Sequence, residues 1–497
     1  MKKKYIIFSI VTLVLLVSFL SYSKYLKTTN VFKEGDVKPT KITKGISMNL
    51  EQTAGAGDYK TVTQSSWPTE GYEFNAELSK CENGSTLSWD DTKKAVIVSG
   101  NTSDKCYVYF DKLLVLSEVC GDKTLKDCVI AQYTGTQGQN NIYYHKSSLS
   151  NGAGDNSYRY AGGDYQLTSK AISAGFNSIT TKSQTSTDGV VNYYCNGTKQ
   201  YVGAGCPGNY ISYYSLQYDT TNTQYQSYKE ALEKAIVDGY LIEDKVENFV
   251  CFGTNESTCS TDNLYRIIGM IDNKVKLIKY DCASRNLLGT SGESPYKSDH
   301  LSMYLGTLTE IDMYTLNSSG SNIWRDSPLN KTNLNTSFIN NIGTTWASKI
   351  ITTTWKVGGG VPTNIIESVP KIAYQYEVGS SASSTTYDAK IGLMYVSDYY
   401  YAAGPSAWTL VGYSSSNPTT DYRVSTSINW MYMGMDEWTL TPNNSDSEMT
   451  FGILSNGYVT TGFVSIDNYC VRPVFNLNTS VTYVSGDGTQ SSPIRIN

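Results

Sequence analysis

Ten cysteines in a chain of 497 residues restrict this fold more than any other feature. They are Cys81, Cys106, Cys120, Cys128, Cys195, Cys206, Cys251, Cys259, Cys282 and Cys470. None are spaced Cys-x-x-Cys, so the ligand pattern of a zinc site is missing. An even count in an exported chain reads as a disulfide framework. Sequence neighbours suggest bridges 81–106, 120–128, 195–206 and 251–259, which leaves 282–470 by elimination. Ten cysteines allow many other connectivities, and free buried thiols are the alternative to bridges altogether.

The N-terminus carries the export signal. Lys2, Lys3 and Lys4 precede an uncharged run from Tyr5 to Ser23. Its length, at about 1.5 Å per helical residue, gives roughly 28 Å, close to the hydrocarbon thickness of a bilayer. The positive end stays in the cytoplasm and places everything beyond Lys24 outside. Residues 1–27 are therefore expected to be an uncleaved signal anchor. The membrane is met through residues 5–23 and the C-terminal bulk is extracellular. The alternative is a signal peptide cut after Ser21-Tyr22-Ser23, which would release the protein.

Composition narrows the function classes. The 41 tyrosines, a charged fraction of 17% and abundant Asn, Ser, Thr and Gly suit a β-rich extracellular protein. The net charge is -5 and no basic stripe recurs beyond the N-terminus, so no nucleic-acid partner is expected. His145 and His300 are the only histidines, which leaves little material for a histidine metal site or a Ser–His relay. No metal and no cofactor are expected.

Residues 28–44 read as a polar linker, and 45–112 as a small disulfide-stapled β module with turns at Asp90-Asp91 and Gly100-Asn101. Residues 113–248 form a mixed, loop-rich insert, expected to pack on the last domain. Leu125–Ala131 suggests a short helix there, and residues 225–237 the best amphipathic helix of the chain. From Phe249 the last domain begins. Leu264–Met270 and Val275–Tyr280 read as strands joined at Asp272-Asn273. Ser327–Asn341 holds a short helix with Leu329, Leu334, Phe338 and Ile339 inward, and Lys390–Val396 reads as a buried strand. Between Trp430 and Leu477, short apolar runs alternate with turn residues. There Ser455-Asn456-Gly457 marks a tight hairpin, and Arg472 is read as a structural residue of the final strand, with Trp438 in the core.

The order of Leu264-Tyr-Arg-Ile-Ile, Val275-Lys-Leu-Ile, Trp324-Arg-Asp-Ser-Pro, Lys390-Ile-Gly-Leu-Met, Glu437-Trp-Thr-Leu-Thr-Pro442 and Cys470-Val-Arg-Pro-Val-Phe475 resembles an uncharacterised domain. That domain is common in surface proteins of Gram-positive gut bacteria and ends in Val-Arg-Pro. The resemblance covers about residues 249–497. It implies a C-type-lectin-like fold, in the variant shared with formylglycine-generating enzymes. Where many members read Leu-Arg-Ser-Pro this chain has Thr439-Leu440-Thr441-Pro442, and Cys470 replaces the glycine before Val-Arg-Pro. The Glu-Pro-Asn and Trp-Asn-Asp motifs of calcium-dependent lectins are absent. The fold class expected is therefore α+β and β-rich. It comprises an N-terminal transmembrane helix, a small β-sandwich-like module and a C-terminal C-type-lectin-like domain.

Chemistry is weighed against packing. Cys282 and Cys470 could serve as an enzyme's thiol pair by fold analogy, a weak warrant, and a structural bridge is the simpler reading. Asp436 and Glu437 are an adjacent acid pair with no further catalytic context. Binding residues are sought among aromatics and amides near turns, where Tyr and Trp give contact area at low entropy cost. The candidates are Tyr399, Tyr400, Trp408, Tyr432, Asn443, Asn444, Asn456, Tyr458 and Phe463. The expected function is a surface-anchored extracellular protein that binds an unknown protein or glycan through late loops. An enzyme on the same fold and a pilus-like subunit are the alternatives.

Overall fold

The computed structural model describes residues 45–163 and 246–497, outside short gaps, and the strands at 165–167, 178–180, 210–212 and 241–243. The expected anchor at 1–27, the linker, the 225–237 helix and the 195–206 bridge lie outside the described residues.

Two compact units emerge. The smaller holds the described residues up to 49, with 61–70 and 74–109. Its strands belong to a sheet ordered Tyr59–Val62, Ile46–Glu51, Cys106–Lys112, Tyr72–Cys81, and to a separate hairpin of Thr86–Asp90 with Ala95–Ser99. Cys81 and Cys106 are bridged across neighbouring strands. The Asp104 carboxylate closes the adjoining turn by accepting the N–H groups of Asn83 and Ser85 at 2.8 and 3.0 Å. So small a unit buries a modest core, and the staple adds what the core lacks.

The larger unit contains residues 110–497 with 50–60 and 71–73. Its main sheet runs Ile391–Gly392, Val474–Asn476, Lys274–Lys279, Leu264–Ile271, Tyr158–Tyr160, Ile142–Tyr144, with Phe249–Cys251 also paired to Leu264–Ile271. These pairings are antiparallel. Leu264–Ile271 is buried along nearly its whole length, which suits its continuous apolar run. The turn into the next strand is made by Asp272 (φ 48°) and Asn273 (φ 63°), the left-handed pair that a two-residue hairpin demands. Gly269 has a different task. The register shifts between Ile267 and Gly269, and a Cβ on Gly269 would lie 2.2 Å from the Tyr158 carbonyl oxygen. Only glycine lets the Tyr158–Tyr160 strand close on this edge.

The late block forms a three-stranded sheet of Glu437–Pro442, Met449–Ile453 and Val459–Phe463, with Gly457 (φ 92°) in the second turn. Two interactions fasten the chain's end. Cys282 is bridged to Cys470, and Arg472 is buried. The Arg472 guanidinium donates to Glu437 Oε2 at 3.1 Å and to the carbonyls of Lys279 and Met431 at 2.8 and 2.9 Å. Bridges 120–128 and 251–259 complete the disulfides of the described residues.

The expected fold class needs correction. Among the described residues, a transmembrane helix, a sandwich-like module and a C-type-lectin-like domain starting at 249 are not what is found. The described residues form a β-rich arrangement of several sheets linked by short helices, and no helix among them is long and apolar enough to cross a membrane. The physical reason lies in the pairing. The main sheet draws strands from both sides of residue 249, because Gly269 admits the Tyr158–Tyr160 strand.

The Cys282–Cys470 bridge closes a loop with a sequence separation of 188. Replacing both residues by Ser should cost about 5 kcal/mol through the freed entropy of the unfolded chain. Urea unfolding of the full chain should show a lower midpoint. An unchanged midpoint would deny this bridge its structural role.

Candidate functional site

Lys274-Val275-Lys276-Leu277 alternates along one strand, so Lys274 and Lys276 share a face. Lys276 is only 5% exposed, and a buried ammonium needs a partner. It has Asp398, whose Oδ2 lies 2.5 Å from Nζ. The same oxygen accepts the Tyr395 N–H at 2.9 Å, immediately before the helix Val396–Ala402. An acid at this place satisfies an orphan donor of the helix start. Asp398 Oδ1 receives Arg159 at 3.4 Å, and Arg159 also donates to Asp155 at 2.7 Å and Ser157 at 2.8 Å.

Aromatic faces enclose these charges. Lys276 Nζ lies 4.8 Å from the Tyr395 ring centre and 5.7 Å from that of Trp355. The Arg159 guanidinium lies 5.5 Å from Tyr401 and 5.7 Å from Tyr374. Ring quadrupoles attract cations and take the place of part of the lost hydration.

Burial pulls the Lys276 amine below its ordinary value, with Asp398 opposing. Burial works against ionised Asp155, yet Arg159 and Ser157 hold its carboxyl below the usual range. Glu377 lies nearby on the helix Pro370–Glu377 and accepts the N–H groups of Val396 and Ser397 at 2.9 and 2.8 Å. Burial nevertheless pushes its carboxyl up to about 7.

Lys276, Asp398 and Arg159 line an open cleft of about 410 Å³. Lys274, Lys356 and Thr352 also line it. Its charged lining comprises four cations, Arg159, Lys274, Lys276 and Lys356, against two carboxylates, Asp272 and Asp398. An ammonium has three donors, and Asp398 is the one acceptor that Lys276 meets among the described residues. Its other N–H groups are left for whatever occupies the cleft.

The residues singled out from sequence lie elsewhere, and several need correction. Tyr399, Tyr400 and Trp408 are buried rather than displayed on loops. Val396–Ala402 is a helix, and each of its three tyrosine hydroxyls donates to a distant carbonyl: Tyr399 to Gly457, Tyr400 to Ile365, Tyr401 to Asn151. Trp408 Nε1 donates to Ala403 at 2.9 Å. Asn443 is buried too, its amide oxygen accepting the Ser445 N–H. Trp438 is buried and donates to the Tyr314 carbonyl at 2.7 Å.

Asn444 and Phe463 are exposed, while Tyr432, Asn456 and Tyr458 are half-buried. The Tyr458 ring centre lies 4.8 Å from that of Tyr413 with the planes tilted by 37°, and the Arg423 guanidinium lies 5.1 Å from Tyr413 and 5.5 Å from Tyr458. Asp436 and Glu437 are held apart in role. Asp436 accepts the Ser455 N–H, whereas Glu437 is tied to Arg472. The bridged Cys282 and Cys470 hold no free thiol.

The cleft residues escaped sequence reading because their partners are remote. Lys276 and Asp398 are 122 positions apart, and Arg159 and Asp398 are 239 apart. The available signal was a lysine flanked by Val275 and Leu277 in a strand that alternates lysine with apolar residues. A second was the acid three residues after Tyr395, a helix-start pattern.

Comparison with family models, curated proteins and solved structures finds no match.

Glu377 gives a pH test. Its folded-state pKa is about 7, against an ordinary value of 4.5. The folded chain therefore keeps a proton that the unfolded chain releases across this window. The stabilisation is full at acid pH and is lost as pH rises through about 7. Glu377→Gln should flatten the fall of the thermal midpoint between about pH 5 and 8. Equal slopes in both proteins would refute the assignment.

Proposed function

We propose that this chain is an extracellular binding protein, presented at the cell surface, that recognises a protein or a glycan at the cleft. One observation carries the reading: a buried ammonium, Lys276, lines an open cleft with donors to spare. Water can take such spare donors, and a ligand that displaces it gains the same hydrogen bonds in a fixed direction. The disulfides favour an oxidising compartment. The likeness of residues 249–497 to a domain of bacterial surface proteins supports the same reading.

A second reading uses the Tyr413–Tyr458 pair under Arg423 as a flat contact patch beside Asn456. Tyr413 is 36% exposed, and paired rings with a cation suit a protein or sugar surface.

Thr352 is exposed on the cleft lining, so Thr352→Trp should plug the cleft without disturbing the core. The full chain should be titrated with a panel of cell-surface glycans and proteins. The binding found should weaken at least about tenfold in Thr352→Trp, a loss of about 1.4 kcal/mol. If that variant binds normally and Tyr413→Ala does not, the contact patch is the site and the cleft is not.

A further inference from the structure

We propose that the cleft selects a sugar carrying a carboxylate, of the uronic-acid kind; this rests on reading the cleft as the ligand site. Three observations converge on that class.

The first is charge. Four cations line the cleft against Asp272 and Asp398, and Asp155, outside the lining, pairs with Arg159, so positive charge exceeds negative by one. An incoming anion therefore meets an excess of positive charge. Lys274 and Lys276 are two residues apart on one strand face, roughly 6.6 Å along the strand. Both lysines line the cleft from that face, where the two oxygens of one carboxylate can each accept from an ammonium.

The second is the remaining lining. Thr352 supplies a hydroxyl; Thr354 donates its own to Asp388 at 2.6 Å and Asn476 its amide to Thr353 at 3.0 Å, so each offers a ligand its oxygen. Tyr374 adds a half-buried ring. Hydroxyls and amides beside an aromatic face match the alternating polar and apolar surface of a sugar ring. A volume of about 410 Å³ falls in the lower part of the range for small-molecule sites.

The third counts against a peptide strand. A peptide with an acidic side chain would satisfy the same cations, and the strand Thr353–Lys356 lines the cleft. Strand addition needs free main-chain groups. Here the Tyr395 hydroxyl accepts the Lys356 N–H at 2.9 Å and donates to the Lys356 carbonyl at 3.0 Å. The Asn476 carbonyl takes the Ile351 N–H at 3.1 Å, and its amide donates to the Thr353 hydroxyl at 3.0 Å. The Lys356 main-chain groups and the Ile351 N–H are thus closed to an added strand, whereas the Asn476 amide holds only a side chain.

The test is calorimetric titration of the full chain with glucuronate and galacturonate, their neutral parents glucose and galactose, and the acidic dipeptide Gly-Glu. The acids should bind, the neutral sugars at least about tenfold more weakly, and affinity should fall with added salt. Lys274→Glu, at a half-buried position of the lining, should abolish the preference without lowering the thermal midpoint. Equal binding of acid and neutral sugars would overturn the carboxylate selection while leaving a glycan-binding cleft. Binding of Gly-Glu without the sugars would overturn it in favour of a protein ligand. No binding of any probe would also overturn it, and the Thr352→Trp panel would then decide separately whether the cleft is a site at all.

Discussion

Asp398 is the point on which the larger unit turns. Its carboxylate joins three elements far apart in sequence: the strand carrying Lys276, the strand carrying Arg159, and the start of the helix Val396–Ala402. Removing one partner from such a set leaves an uncompensated buried charge, usually worth 3–5 kcal/mol. The set therefore fixes how the sheet and this helix meet. It also lines the cleft. The interaction that specifies the packing is the one that presents Lys276 to a ligand, so fold and site share a single electrostatic origin.

Local chemistry was legible in the sequence. The Asp272-Asn273 hairpin, the Asn456-Gly457 turn and the short helix Leu125–Ala131 all follow from neighbouring residues. The near-neighbour disulfides at 81–106, 120–128 and 251–259 follow for the same reason, and 282–470 came from counting rather than from any local cue. What was not legible depends on pairing at a distance. Gly269 looks like a weak spot in a strand until the Tyr158 carbonyl is found against it. Lys276 looks like a solvent-facing lysine until Asp398 is brought beside it.

Tyrosine misled the sequence reading for a definite reason. Its ring suits both a binding loop and a core, and the hydroxyl decides which, since a buried O–H needs an acceptor. Here several acceptors are main-chain carbonyls, of loops at Gly457 and Gly289 and of helices at Ile365 and Tyr400. Tyr399 reaches Gly457, Tyr400 reaches Ile365, Tyr422 reaches Tyr400 and Tyr314 reaches Gly289. Each ring fills core volume while its hydroxyl tethers another segment. A protein with short strands and many turns has many loop carbonyls to satisfy, and abundant tyrosine meets that need without long helices.

The same logic links the end of the chain to the cleft. Cys470 is bridged to Cys282, and two residues later Arg472 enters its buried pair with Glu437. Val474–Asn476 then pairs with Lys274–Lys279, placing Asn476 opposite Lys276. The covalent bond, the ion pair and the strand register thus follow one another over seven residues, from 470 to 476. Their combined effect is to set the backbone beside Lys276 before any ligand arrives. A polar site depends on such support, because its hydrogen bonds give selectivity only when donors are held in place. The long-range disulfide and the cleft are therefore parts of one device.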